Sequence, residues 1–423
     1  MRKETIFYRD SLFQNSIYLM LTTGVTAVLG FVFWLICARL FTPDEIGIGT
    51  SLISAMSLIS YMSLLGFNNT FMRILPTSHN RSNVINTGLL LVITAAVVIA
   101  IWYIIGVELI APKLKQVLDT SWYEIGFVVL AALAAVNLLT DSIFIAFRGA
   151  KYNLLIDGGI QGVVKLLLPL AFLRLGPFGV FMASGTAAAA AMAASIIFLI
   201  AKFDYRPKFH IHVQTFRNVF HYSSINYIAN IFNIAPILIL PLIVLNHLGA
   251  AHAGYYFMAF TVANLLYAVV YAVSSSLFAE GSYGDEALQK LFKRAVRIVA
   301  IIIIPCGLAL ALFGPVMLRL FGRSYSEEAS SVLVLLALAS PAVAAYTLGN
   351  VLLRITHRLH STIMVNLIYM VTISGLALLW VDRGLFWIGA AWTAGNIVAA
   401  VAAFISVFSS RHSLFYVKST ISS

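Results

Sequence analysis

Residues 38–55 read ARLFTPDEIGIGTSLISA. They follow residues 15–37, a run of 23 without a single charge. Arg39, Pro43, Asp44, Glu45 and Gly47 then arrive in close succession, and the chain turns apolar again. So sharp a break between two oily runs reads as a tight hairpin between two membrane-crossing helices. Pro43 suits the first turn of the second helix, where its missing N–H has no partner to lose. Asp44 and Glu45 suit the positive end of that helix.

The rest of the chain has the same character. Of 423 residues, 61% are hydrophobic and only 10% are charged, against about 25% charged in soluble domains. Several runs exceed the roughly 18 apolar residues that mark a membrane helix. The alternation expected of membrane strands is absent. The fold class is therefore all-α and polytopic. Twelve spans are predicted at 15–38, 46–72, 84–109, 122–147, 154–174, 177–201, 217–246, 252–278, 292–313, 327–353, 361–381 and 386–409.

With the N-terminus inside, the cytoplasmic segments and the span ends beside them hold 19 Lys and Arg, and the external loops and their flanking span ends hold 7. The positive-inside rule then places both termini in the cytoplasm, in a plasma (inner) membrane. The net charge of +11 fits anionic lipid and does not call for nucleic acid. Cys37 and Cys306 both fall inside apolar runs, which argues against a disulfide framework. The charged start MRKETIFYRDSLFQNS reads as a short surface helix leading into a retained first span, since the apolar run after it is too long for a signal peptide.

The opening punctuation returns about 207 residues later. LNHLGAAHAGYYFMAFTVA, 245–263, sets Gly254 against Gly47. FRGAKY, 147–152, lies opposite LRITHR, 353–358, with Arg148 against Arg354. GPFGVFMASG, 176–185, resembles IGAAWTAG, 388–395. This is a six-plus-six duplication. It divides the chain into an interfacial segment (1–14), a first bundle (15–201), a linker (202–216), a second bundle (217–410) and a tail (411–423). Six is even, so the halves run in the same sense about an axis along the membrane normal. In transporters of that plan the substrate path lies between the halves.

Charge inside a membrane marks function by default. Lys165 lies about 11 residues, or roughly 16 Å, into span five. It must pair or face water. Asp141 in span four lies about six residues from the inner end, roughly 7 Å shallower and within reach of a long Lys side chain. Two readings stand side by side: a structural Lys–Asp pair, and a cationic group lining a wet central cavity. Arg39, Arg148, Arg174 and Arg354 lie near span ends, where snorkelling competes with substrate binding. Asn68 and Asn69 precede Arg73 at the end of span two. Span seven carries His221, Asn226, Asn230 and Asn233 at helical intervals, followed by Pro236 and Pro241. A polar stripe on a helix that prolines can bend suits the moving wall of a cavity; interhelical hydrogen bonding explains it equally well. The Ala-rich run 185–195 and Gly158/Gly162 read as close helix packing.

Signals for an enzyme are missing. There is no phosphate-cradling glycine loop and no loop large enough to fold as a domain. His210/His212 and His357/His360 lack acidic or thiol partners for a metal. Neither metal nor cofactor is expected.

Residues 38–76 resemble the start of the polysaccharide-export, lipid-linked oligosaccharide flippases (Wzx-like) of the multidrug/oligosaccharidyl-lipid/polysaccharide (MOP) superfamily. The resemblance rests on Ala38, Arg39, Pro43 and Gly47. It continues through Leu65, Gly66 and Arg73 and the FRGAKYN element. It implies a flippase carrying polyprenyl-diphosphate-linked oligosaccharide outward by alternating access through a cationic cavity. Lys165, Arg39, Arg148, Arg354, Asn68, Asn69, Asn226, Asn230 and Asn233 would line that cavity. Pro236 and Pro241 would form a hinge, and Asp141 a coupling-ion site. Membrane lipids and glycan polymerase or export proteins are the implied partners. The rivals are an ion-driven multidrug extruder, a membrane-embedded glycosyltransferase or polymerase, and a non-transporting scaffold of glycan assembly. A cationic-drug exporter should line its cavity with carboxylates, and 27 basic against 16 acidic residues favours an anionic cargo.

Overall fold

The computed structural model describes the backbone of residues 2–78, 80–208, 213–283 and 288–408. Helix is the only regular structure among the described residues. Hydrocarbon offers the backbone no hydrogen-bond partner, and helices satisfy their own.

Span one is α1 (Arg2–Leu40), continuous with the N-terminal segment. Span two is α2 (Pro43–Ser63) followed by α3 (Phe67–Ile74). Span three is α4 (Arg81–Ile110), trailed by the single turn α5 (Pro112–Lys115). Span four is α6 (Ser121–Ala146). Span five is composite: α7 (Ala150–Asn153), a π-helical stretch (Leu154–Gln161) and α8 (Gly162–Ala171). α9 (Pro177–Phe203) completes the first half.

The second half holds α10 (Val213–Leu248), α11 (Ala250–Tyr283) and α12 (Leu288–Arg319) as spans seven to nine. α13 (Arg323–Leu338) and α14 (Ser340–Ile355) form span ten. α15 (Leu359–Trp380) and α16 (Leu385–Phe408) are spans eleven and twelve. Eleven helical stretches are long and apolar enough to cross a membrane, and α13 with α14, taken as one span, makes the twelfth.

Two predicted spans are not straight. Span two, expected as one helix over 46–72, breaks where Leu65 (φ 49°) and Gly66 (φ 84°) turn left-handed. Span ten, expected over 327–353, bends by 45° between α13 and α14. Pro341 is the cause. It cannot donate to the Ala337 carbonyl, and the Ser340 hydroxyl donates there instead at 2.6 Å.

The surface has the exposure of a lipid-facing protein. Leu109 is 92% exposed and Trp122 77%, values no core would tolerate in water. Small residues face inward. A Cβ on Gly158 would meet Val25 at 3.1 Å, and one on Gly162 would meet Leu29 at 2.4 Å. Ala187 and Ala191 of the Ala-rich run are fully buried. Both stretches are the helix-packing surfaces that the sequence suggested.

The hairpin between spans one and two forms as read. Pro43 opens α2, and Thr42 with Glu45 closes a reciprocal cap: Thr42 N–H donates to Glu45 Oε2 at 2.8 Å and Glu45 N–H to Thr42 Oγ1 at 3.3 Å. The echo of the hairpin also becomes physical. Spans two and eight cross with Gly47 against Gly254. A Cβ on Gly47 would sit 1.8 Å from the Ala250 carbonyl oxygen, and one on Gly254 2.3 Å from that of Pro43. Two glycines at matching positions of the two hairpins thus meet where these spans cross.

Other contacts close the seam at this hairpin end. Arg39 donates to the Leu320 carbonyl at 2.7 Å and Asn246 to that of Ile110 at 2.7 Å. Trp34 packs edge-on against Phe257, with ring centroids 4.6 Å apart. At the opposite end, which carries the linker, the Tyr227 hydroxyl donates to the Met62 carbonyl.

Candidate functional site

Lys165 stands on α8, which packs against α1. Its ammonium lies 4.5 Å from the centre of the Phe33 ring and 5.9 Å from that of Trp34. Aromatic faces attract a cation, and the attraction strengthens with desolvation. Trp34 touches the second half through Phe257, so the ammonium stands one ring from the seam. Among the described residues the ion pairs are Lys115–Glu124, His247–Asp382 and Arg323–Glu327. Lys165 therefore has no carboxylate partner, and the Lys165–Asp141 pair allowed by the sequence does not form.

Asp141 instead meets Asp157. The two carboxyls lie side by side, close enough for hydrogen bonding, and the Asn137 side chain approaches Asp157. Asn153 donates to the backbone carbonyl of Asp141 at 3.3 Å. Asp157 sits in the π-helical stretch of span five. Widening of that kind re-aims side chains and recurs at functional sites. Asp157 is eight residues before Lys165, or about 12 Å along a helix, which keeps the acids and the ammonium apart.

Three oxygens of this cluster, Asn137 Oδ1, Asn153 Oδ1 and Asp157 Oδ1, are buried without a hydrogen-bond donor. Orphaned acceptors around paired carboxyls suit a hard cation or a shared proton. Two ionised carboxyls in contact repel each other, and either occupant removes the repulsion. Among the described residues no three His, Cys, Asp or Glu side chains group together to hold a metal ion.

The second half carries a polar cluster of its own. Asn233 of span seven donates to the Tyr346 hydroxyl at 2.6 Å. Tyr346 donates to Asn366 Oδ1 at 2.9 Å, and Asn350 donates to the same oxygen at 2.8 Å. Asn366 donates to the Ala229 carbonyl of span seven at 2.8 Å. Tyr346 stacks on Tyr369 with centroids 4.4 Å apart.

The remaining predicted residues scatter. Arg39 is at the hairpin end, engaged with the Leu320 carbonyl. Arg148 is exposed at the linker end of span four, in a left-handed conformation (φ 57°). Arg354 lies over the Phe278 ring at 5.1 Å. Asn68 and Asn69 are half-buried on α3, with Asn68 Oδ1 unpartnered. Asn226 is half-buried and Asn230 exposed. Pro236 and Pro241 both lie inside α10. The side chains of His210, His212 and His221 lie outside the described residues.

Asp157, Tyr346, Asn350 and Asn366 were missed in the sequence. Asp157 falls at the predicted start of span five, where a charge draws no attention. The sequence offered only a matching Asn-x-x-x-Asp spacing, Asn137 to Asp141 and Asn153 to Asp157, and the π-helical stretch leaves only the first pair on an α-helical face.

Known proteins agree with this architecture. Residues 36–330, more than two thirds of the chain, match the family model described as "Polysaccharide biosynthesis protein". No curated protein is significantly similar. An inward-facing multidrug-resistance MATE family transporter of the MOP superfamily superposes with TM-score 0.70 at 14% identity, covering 96% of each chain. Its outward-facing counterpart gives 0.67 at 16% identity, covering 94% of each. A MOP superfamily transporter from Pyrococcus furiosus, described as having a binding pocket of reverse polarity, gives 0.65 at 15% identity over 94% of each. The matched family model places the chain in the polysaccharide biosynthesis protein family, and the superposed transporters show that it shares their fold.

Proposed function

We propose that the protein flips a polyprenyl-diphosphate-linked oligosaccharide from the inner to the outer leaflet of the plasma membrane, with both of its termini in the cytoplasm. The observation that carries this reading is Lys165: a membrane-embedded ammonium beside the seam, braced by Phe33 and Trp34 and lacking an anionic partner. An anion arriving between the halves supplies that partner. A diphosphate offers both the charge and the acceptor oxygens. Hydrated sugar and diphosphate cannot cross bare hydrocarbon, because each unsatisfied polar group costs several kcal/mol. A polar path between two helical bundles removes most of that cost while the lipid tail stays in the bilayer. An inside-negative potential favours outward movement of an anion by about 2.3 kcal/mol per charge per 100 mV.

Asp141 and Asp157 serve as the coupling-ion site in this reading. A proton or monovalent cation entering between them discharges their repulsion.

The test is the fate of labelled lipid-linked glycan in cells lacking the gene. Accumulation on the inner leaflet is expected, relieved by the wild-type protein and not by Lys165→Ala. Relief by both would leave the flippase and demote Lys165 to a packing role. No accumulation, with new sensitivity to cationic drugs, would replace this reading with an extruder.

A further inference from the structure

The turn between spans four and five and the turn between spans ten and eleven are the same turn at an offset of 209 residues. Phe147 N–H donates to the Ile143 carbonyl and Thr356 N–H to that of Leu352. Arg148 N–H donates to Ile145 and His357 N–H to Arg354. Gly149 N–H donates to Phe144 and Arg358 N–H to Leu353. Arg148 (φ 57°) and His357 (φ 55°) both turn left-handed. The register pairs Arg148 with His357, and so corrects the sequence pairing of Arg148 with Arg354 by about one turn.

This register aligns the two polar clusters residue for residue. Asn137 falls on Tyr346, Asp141 on Asn350 and Asp157 on Asn366. The contacts repeat as well. Asp141 meets Asp157, and Asn350 bonds to Asn366. Asn137 approaches Asp157, and Tyr346 bonds to Asn366. The geometry is conserved between the halves while the charge is not: both acids of the first half are amides in the second.

We propose that Tyr346, Asn350 and Asn366 are the second-half copy of the acid site, with its ion dependence removed. An amide pair supplies its own donor, so it closes without a proton or a cation. Its outward bonds, Asn233 to Tyr346 and Asn366 to the Ala229 carbonyl, make it a tie that holds span seven to spans ten and eleven whatever the pH or salt. Ion response then resides in the first half alone, a clause that rests on the coupling role given above to Asp141 and Asp157. The ionisable groups facing the second cluster are phenols: Tyr346 itself, Tyr369 stacked on it, and Tyr271 of span eight. Phenols stay protonated near neutral pH. Arg354 ends α14 one turn beyond Asn350. In the first half Tyr61 of span two neighbours Asp141.

The experiment is a charge swap read by thermal unfolding of the full-length protein in lipid nanodiscs. Two double variants, Asp141→Asn/Asp157→Asn and Asn350→Asp/Asn366→Asp, are made singly and combined. Each is melted between about pH 5 and pH 8, in sodium and in choline chloride. The combined variant should regain an ion response that Asp141→Asn/Asp157→Asn has lost. Its Tm should fall by about 2 °C or more as pH rises and recover with sodium or protons. A folded combined variant indifferent to both would overturn the equivalence of the two sites. If the wild type itself shows no response for Asp141→Asn/Asp157→Asn to remove, the coupling role falls. Asn350→Asp/Asn366→Asp measured against wild type still decides the equivalence.

The tie has its own readout, which also serves should the acid swap fail to fold. Asn233→Ala removes the single bond from span seven to Tyr346. Hydrogen exchange over residues 226–248 should quicken at least tenfold, equally at every pH. Unchanged exchange there would overturn the tie.

Discussion

The segments joining spans four to five and ten to eleven place their polar side chains with the same backbone hydrogen bonds, yet one cluster holds two carboxyls and the other none. The backbone plan survived duplication because it is set by steric and hydrogen-bond requirements common to both copies. The side chains differ, and on the proposed reading that difference gives each half a separate task. Paired carboxyls in hydrocarbon are costly unless an ion joins them, whereas paired amides satisfy each other. On the proposed reading, the difference separates a responsive element from a permanent one.

Five variants break or sharpen that contrast, in falling order of effect. Gly47→Leu attacks the point where the halves meet as equals. Its side chain collides with the Ala250 carbonyl, since even a Cβ would lie 1.8 Å away. Overpacking of this order costs the closed seam about 3 kcal/mol or more, on the order of a hundredfold in its population. Transport should be lost. A cysteine placed at Thr50, in a Cys306→Ser background because Cys306 is exposed, should become reactive from the hairpin side.

Asp141→Asn/Asp157→Asn gives the first half the chemistry of the second. Glycolipid translocation should lose its response to a pH or sodium gradient and fall about tenfold, which corresponds to about 1.4 kcal/mol. Asn366→Leu strikes the second half, leaving Tyr346, Asn350 and the Ala229 carbonyl without their partner. Stranded buried polar groups cost about 1–3 kcal/mol, so Tm should drop by several degrees, equally at all pH values. His357→Gly and Arg148→Gly relieve the two left-handed turns. Each should raise stability by up to about 1 kcal/mol in thermal melts, with Arg148→Gly gaining less because it also deletes side-chain interactions.

Much of this was legible in the sequence. Apolar runs and Pro43, Asp44 and Glu45 marked the spans and the first hairpin, because hydrocarbon and helix ends impose strict demands on residue type. The echo of the first hairpin was visible in Gly47 and Gly254, although nothing in the sequence said that these glycines touch. Lys165 stood out because one charge in a long apolar run is conspicuous. Its aromatic surroundings were not visible, since Phe33 and Trp34 lie more than 100 residues away in span one. The Asp141–Asp157 pairing was hidden by the π-helical stretch, whose changed residues per turn defeats counting along an α-helix. The break at Leu65 was hidden because leucine rarely adopts positive φ. The Tyr346–Asn350–Asn366 cluster was passed over because uncharged polar residues in a membrane helix are common, and only the register of the turns exposes their kinship with the acids.

The most direct measurement is translocation in reconstituted liposomes. Polyprenyl-diphosphate oligosaccharide is placed in one leaflet, and its appearance in the other is followed by a glycan-cleaving enzyme that cannot cross the bilayer. The account predicts that the wild type delivers the lipid. It predicts at least a tenfold slower delivery by Lys165→Ala, and delivery indifferent to a proton or sodium gradient by Asp141→Asn/Asp157→Asn. Wild-type protein that leaves the glycolipid in its original leaflet, while moving a small cationic dye across the same membrane, would contradict it.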